Sequence, residues 1–137
     1  MMKRGSLLPV AIMLASCGQA PTFTVERLHE NRQLFEEVSG EIRIGRIEVK
    51  QEPHEAVFDL AVRRAKEGDP KGHGIRIIVP KQFKVRYRQE LKNKPITCNL
   101  GPNLSMKQFV AEFPFEDWFL CPISKDTLAI VPTDIFK

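Results

Sequence analysis

The sequence of 137 residues lacks the residue groupings that most often carry out chemistry. Its three cysteines form no Cys-X-X-Cys pair, so a thioredoxin-like redox centre is not expected. It contains no Gly-X-Ser-X-Gly, no His-Glu-X-X-His and no phosphate-binding glycine loop. The sequence therefore predicts a protein that is not an enzyme and binds no cofactor and no metal. Only a pair of catalytic carboxylates stays open as an enzymatic alternative, because acidic residues are plentiful.

Neither sign of charge dominates, and no apolar run is long enough to cross a membrane. Lys and Arg number 21, whereas Asp and Glu number 17. Lys3 and Arg4 stand before an apolar run at 7–14, which is far shorter than the ~20 residues of a membrane span. Setting these two basic residues aside as part of a leader leaves nineteen against seventeen, a net charge of +2. A nucleic-acid partner is therefore not expected.

The first seventeen residues have the layout of an exported bacterial lipoprotein. The basic start and the apolar run are followed by Leu14-Ala15-Ser16-Cys17, which resembles a lipobox. This resemblance implies cleavage after Ser16 and a diacylglycerol on Cys17 that anchors the chain in a membrane. Gly18, in place of an Asp, resembles lipoproteins sent to the outer membrane, facing the periplasm. An ordinary signal peptide with a chance cysteine is the alternative.

Periodicity and turn residues divide the rest of the chain into alternating helices and strands. We expect a signal peptide over 1–16, a tether over 17–23, an N-terminal helix over 24–40 and an α+β domain over 41–137. Further helices are expected over 53–67 and after the capping box of Ser105 and Gln108. Strands are expected over 45–50, 74–80, 82–89, 95–100, 118–123 and 127–132. This order predicts a small mixed sheet with two helices on one face.

Three stretches of this domain carry a family resemblance. They are HEAVFDLAVRRAKEGDPKGHGIRIIV at 54–79, ITCNLGPNLSMKQFVAEF at 96–113 and TLAIVP at 127–132. Together they resemble the short N-terminal domain of secretins and TonB-dependent receptors, known as the STN or secretin-N-like domain. The resemblance covers residues 45–132, and it implies a βαβ–βαββ fold and a protein-docking role without catalytic residues. An envelope protein is the partner expected from this resemblance, and the oligomeric state is left open.

The remaining candidate residues are two cysteines, a basic stretch and two aromatics. Cys98 and Cys121 occupy the apolar phase of their strands, so they are expected to form either a disulfide or two buried thiols. Phe115 and Trp118 are expected either in the core and the turn from helix to strand, or exposed as docking anchors. The three histidines, at 29, 54 and 73, are expected at surface or first-turn positions.

The basic stretch at 76–94 offers a second function. Residues 82–89 alternate apolar and charged side chains, which predicts an edge strand with a charged outer face. Such a basic ribbon suits an anionic envelope polymer or lipid headgroups, or it only protects an exposed strand edge from aggregation. Its candidate binding residues are Lys84, Arg86, Arg88, Lys92 and Lys94.

Overall fold

The structure, a computed structural model, describes residues 25–136 and has an α+β fold, as the sequence predicts. The expected signal peptide, Cys17 and the tether lie outside the described residues. The helices are α1 (Val25–Val38), α2 (His54–Gly68), α3 (Lys84–Glu90) and α4 (Met106–Glu112). The strands are β1 (Ile47–Pro53), β2 (Arg76–Ile78), β3 (Pro95–Leu100), β4 (Trp118–Pro122) and β5 (Thr127–Pro132). Short 3-10 turns cover Lys81–Phe83 and Thr133–Phe136. No helix among residues 25–136 is long and apolar enough to cross a membrane.

The strands form two separate sheets where the sequence predicts a single mixed one. β1 pairs with β3 in an antiparallel ribbon, which is irregular between Val49 and Glu52, where Gln51 has a φ of 55°. In the other sheet β5 lies centrally, parallel to β2 and antiparallel to β4. Among the described strands, β1 and β3 pair only with each other, so no strand joins the two sheets.

One main core lies between the two sheets and the helices α2 and α4. It takes Ile47 and Ile96 from the ribbon and Leu128 and Ile130 from the central strand. The helices contribute apolar side chains at helical spacing, which are Val57, Phe58, Ala61 and Ala65 from α2 and Met106 and Phe109 from α4. A second, smaller cluster of Cys121, Ala129 and Val131 lies on the opposite face of the three-stranded sheet, because these residues alternate with the core residues.

Helix α4 begins at the capping box that the sequence predicts. Oγ of Ser105 accepts a hydrogen bond from the Gln108 amide, and Oε1 of Gln108 accepts one from the Ser105 amide. The segment before β1 joins the same region, because the amide of Met106 donates to the carbonyl of Ile42 at 2.9 Å. The start of α4 is thereby fixed to the entry of the β1–β3 ribbon.

The predicted strand over 82–89 is wrong, because this segment is helical. Lys81–Phe83 forms a 3-10 turn after Pro80, and α3 follows directly. Tyr87 and Leu91, four residues apart, are both buried, whereas Val85 is 58% exposed. Burial therefore follows the helical repeat and not the alternation of a strand.

Candidate functional site

The basic residues of 84–94 do not form a ribbon, and most of them pair with acidic side chains. Arg86 binds Asp134 at 2.8 Å and Glu90 at 3.1 Å, and these carboxylates, led by Asp134, raise the pKa of its guanidinium. The other ion pairs of this stretch are Lys92 with Glu55 at 4.0 Å and Lys94 with Glu116 at 3.3 Å. Within the described part of the chain only Lys84 and Arg88 of the five predicted residues form no ion pair.

The two cysteines lie in different sheets, and both thiols are free. Cys98 is half-buried on β3 opposite Val49, and Cys121 is buried on β4 opposite Ala129. Burial raises the pKa of both thiols, to about 11 for Cys121. The expected disulfide is therefore not formed in this structure, and the alternative of two thiols matches it. The alternation correctly predicts that both cysteines lie on the apolar side of their strands. The prediction that they share one core is wrong, because Cys98 packs against the main core and Cys121 belongs to the second cluster.

Of the two predicted docking aromatics, neither is fully exposed. Trp118 is 3% exposed and packs edge-on against Tyr87, with the guanidinium carbon of Arg86 5.6 Å from its ring centre. Its predicted role as an exposed anchor is therefore wrong. Phe115 is half-buried and stacks on His54 with ring centres 6.2 Å apart.

His54 is the one histidine that the structure places in the core. It is 4% exposed at the start of α2 and contacts the rings of Phe58, Phe113 and Phe115. Its Nδ1 lies 2.6 Å from the carbonyl oxygen of Lys94, which can only accept, so Nδ1 carries the hydrogen. Burial lowers the pKa of the imidazole, which favours the neutral ring. Through its hydrogen bond to Lys94, the ring connects the start of α2 to the residue before β3.

An open cleft lies where three separate segments meet, and we call it the loop cleft. It has a volume of about 540 Å³ and is lined by the residues after α1 (38–43), the loop after α2 (68–74) and the turn between β4 and β5 (125–126). The loop is held by Asp69, whose carboxylate accepts hydrogen bonds from the amides of Lys71, His73 and Gly74. These amides, led by that of Gly74, lower the pKa of Asp69.

Gly74 shows why the sequence of this loop folds as it does. Its φ is +70°, a left-handed conformation that favours glycine. A Cβ atom at this position would lie 2.9 Å from the Cα of Lys66 in α2. The loop therefore turns back tightly onto the helix, and the side chains of Lys71 and His73 are left on the outside, where both are exposed.

Around the loop cleft, the acidic side chains have partners within the protein, whereas two lysines do not form ion pairs with described residues. Its carboxylates have partners within the protein: Glu41 pairs with Lys107 at 2.9 Å, Asp69 accepts three amides, and Asp126 accepts the hydroxyls of Ser124 and Thr127. Lys71 and Lys125 are exposed and form no ion pair within residues 25–136. Val38 is 54% exposed beside them. The cleft thus presents two ammonium groups, the exposed guanidinium of Arg43, which donates to the carbonyl of Asn103, and one apolar side chain.

Sequence reasoning missed Lys71 and Lys125 as candidate residues. The signal in the sequence was a lysine next to a glycine or aspartate in each of two predicted turns, and nothing in the sequence brings those turns together. Among the described residues, no group of His, Cys, Asp and Glu is arranged to hold a metal ion. Comparisons with protein-family models, with curated proteins and with solved structures find no match.

Proposed function

We propose that this protein is a lipid-anchored, non-enzymatic docking module of the bacterial cell envelope, facing the periplasm, which binds an envelope protein in its loop cleft. The observation that carries the proposal is the order of the elements. β1–α2–β2 is followed, after α3, by β3–α4–β4–β5. This is the βαβ–βαββ order implied by the resemblance to the secretin-N-like domain.

The chemistry of the loop cleft supports the docking role, since a fold alone does not specify a function. The cleft is open, it is built on a rigid loop, and its two unpaired ammonium groups lie beside the exposed side chain of Val38. An acidic segment with a neighbouring apolar residue complements this surface. Charge complementarity of this kind fixes the orientation of a partner and speeds its association.

The test is crosslinking in the native cells from one position in the cleft. A photoreactive amino acid replaces Lys71, and a matched control replaces Arg63, which is exposed on α2 outside the lining of the cleft. We expect one discrete protein captured from position 71 and not from position 63, and less capture when Cys17→Ala removes the anchor. Equal capture from both positions, or capture of lipid or wall polymer alone, would contradict the proposal.

The captured protein then allows a quantitative test with purified components. The double substitution of Lys71→Glu and Lys125→Glu reverses the charge of both lysines of the cleft, and we expect it to weaken binding roughly tenfold. Lys50→Glu, on the exposed side of β1, is the control and should leave the affinity unchanged. An affinity unaffected by the double substitution would show that the partner binds elsewhere.

A further inference from the structure

Helix α3 sorts its basic side chains onto two sides of the helix. On the inner side, Arg86 is neutralised by Asp134 and Glu90. On the outer side, Lys81, Lys84 and Arg88 are exposed, and none of the three forms an ion pair within the described part of the chain. Spacings of three and four residues place them on one side of the turn and helix.

An apolar side chain lies among these three cations. Val85 is 58% exposed, the most exposed of the large apolar residues in the described chain. It stands four residues after Lys81 and three before Arg88, so it shares their surface. We call this surface the α3 basic face, and it consists of Lys81, Lys84, Val85 and Arg88. A cationic surface with an apolar centre is the composition that binds an anionic lipid interface.

The α3 basic face lies near the end of the domain that would be anchored. Phe83, which immediately precedes α3, contacts both the main core and the cluster of Cys121, Ala129 and Val131 on the outer face of the three-stranded sheet, so it lies at an edge of this sheet. Leu28, in the first turn of α1, packs against the same cluster. The start of α3 and the start of α1 therefore both adjoin this cluster and its side of the sheet.

Chain geometry brings the membrane within reach of this side. Seven residues separate Cys17 from Val25, the first residue of α1. A segment of seven residues spans at most about 25 Å. The loop cleft begins at Val38, the other end of α1, which is about 20 Å farther along the helix axis.

We propose that the α3 basic face rests on the membrane surface and binds the phosphate headgroups of anionic phospholipids. The contact adds a second membrane signal to the lipid on Cys17 and orients the domain, so that the loop cleft is presented away from the membrane. The inference uses the proposed anchor only to place the surface. The binding itself depends on Lys81, Lys84, Val85 and Arg88.

The experiment measures sedimentation of the unlipidated protein, carrying Cys17→Ala, with vesicles at low salt. One set of vesicles is phosphatidylcholine with phosphatidylglycerol, and the other is phosphatidylcholine alone. The test variant combines Lys81→Gln, Lys84→Gln and Arg88→Gln. The control variant, with the same change in net charge, combines Lys50→Gln, Arg63→Gln and Lys66→Gln, which are exposed outside both the α3 basic face and the loop cleft. Thermal unfolding of each variant verifies that it folds.

We expect the wild type to bind the anionic vesicles only and to be released by salt. The test variant should bind about 100-fold more weakly, since each cation near the surface contributes about fivefold. The control variant should stay close to wild type, and Val85→Ser should weaken binding by a smaller factor. Equal losses in both triple variants, equal binding to both kinds of vesicle, or binding to soluble dextran sulfate but not to vesicles would overturn the proposal.

The outcome is independent of the docking proposal, because no partner protein is present in the vesicle experiment. If the protein did not bind vesicles but a partner protein were still captured from position 71, the docking proposal would stand and the membrane proposal would fail. Absence of any partner with normal vesicle binding would leave the α3 basic face intact.

Discussion

The replacement of Ser105 by alanine removes the acceptor on which the start of α4 depends. In the wild type, Oγ of Ser105 accepts from the Gln108 amide at 3.3 Å, and Oε1 of Gln108 accepts from the Ser105 amide at 2.9 Å. Ser105 is 2% exposed, whereas Gln108, whose amide loses its acceptor, is an exposed residue, so the expected loss is that of an ordinary N-cap. The helix has only seven residues, too few to be stable without its cap and its packing.

We expect Ser105→Ala to lower the free energy of unfolding by about 1 kcal/mol, the typical cost of losing an N-cap side chain. A loss of this size lowers the Tm of a domain of about 110 residues by roughly 5 °C. Trp118 is the only tryptophan and is buried, so its fluorescence reports urea unfolding of the protein carrying Cys17→Ala.

Two variants of Gln108 make the measurement specific to the capping box. Gln108→Glu keeps an acceptor oxygen at this position and should change the stability by less than about 0.5 kcal/mol. Gln108→Ala removes this acceptor. The free energy of unfolding of the double variant with Ser105→Ala should fall by less than the sum of the two single decreases, because the two hydrogen bonds are reciprocal. A Ser105→Ala protein that unfolds at the urea concentration of the wild type would show that the stability of α4 does not depend on this cap.

Two further predictions concern the core. Because burial lowers the pKa of His54 below its ordinary value of 6.5, the unfolded chain takes up a proton that the folded protein resists. The stability contributed by neutral His54 is therefore complete above pH 6.5 and is lost as the pH falls towards the lowered pKa. We compare the free energy of unfolding in urea at pH 7.5 and at pH 5.5. Between these pH values it should fall less for His54→Phe than for the wild type, and an equal fall in both proteins would contradict this account. In the native Cys17→Ala protein, iodoacetamide should modify half-buried Cys98 faster than buried Cys121. After unfolding without reductant, it should modify both cysteines. A mass without two additions after unfolding would indicate a disulfide.

Local signals in the sequence predicted most elements but not their assembly into sheets. The capping box before α4 and the positions of β4 and β5 were predicted correctly, because each depends on residues close together in the chain. The pairing of β2 with β5, between residues far apart in the sequence, leaves no local signal. The prediction therefore merged the strands into one sheet and placed Cys98 and Cys121 in one core.

The α3 segment shows how a short window misleads. Phe83, Val85 and Tyr87 alternate with cations, and over so few residues this pattern fits a strand as well as a helix. Burial of Leu91, one helical turn after Tyr87, determines the outcome, and that burial depends on tertiary packing. The same misreading hid the candidate sites, since the α3 basic face exists only on a helix and the loop cleft only where separate turns meet.

The position of β5 has a consequence for when the protein can fold. β5 comes last among the described strands along the sequence, yet it is the central strand of its sheet and the partner of both β2 and β4. It also supplies Leu128 and Ile130 to the main core. A growing chain that ends at Asp126 lacks the strand on which the whole sheet depends. The three-stranded sheet can therefore close only once the segment at 127–132 is available, and a chain cut before this segment also lacks two side chains of the main core.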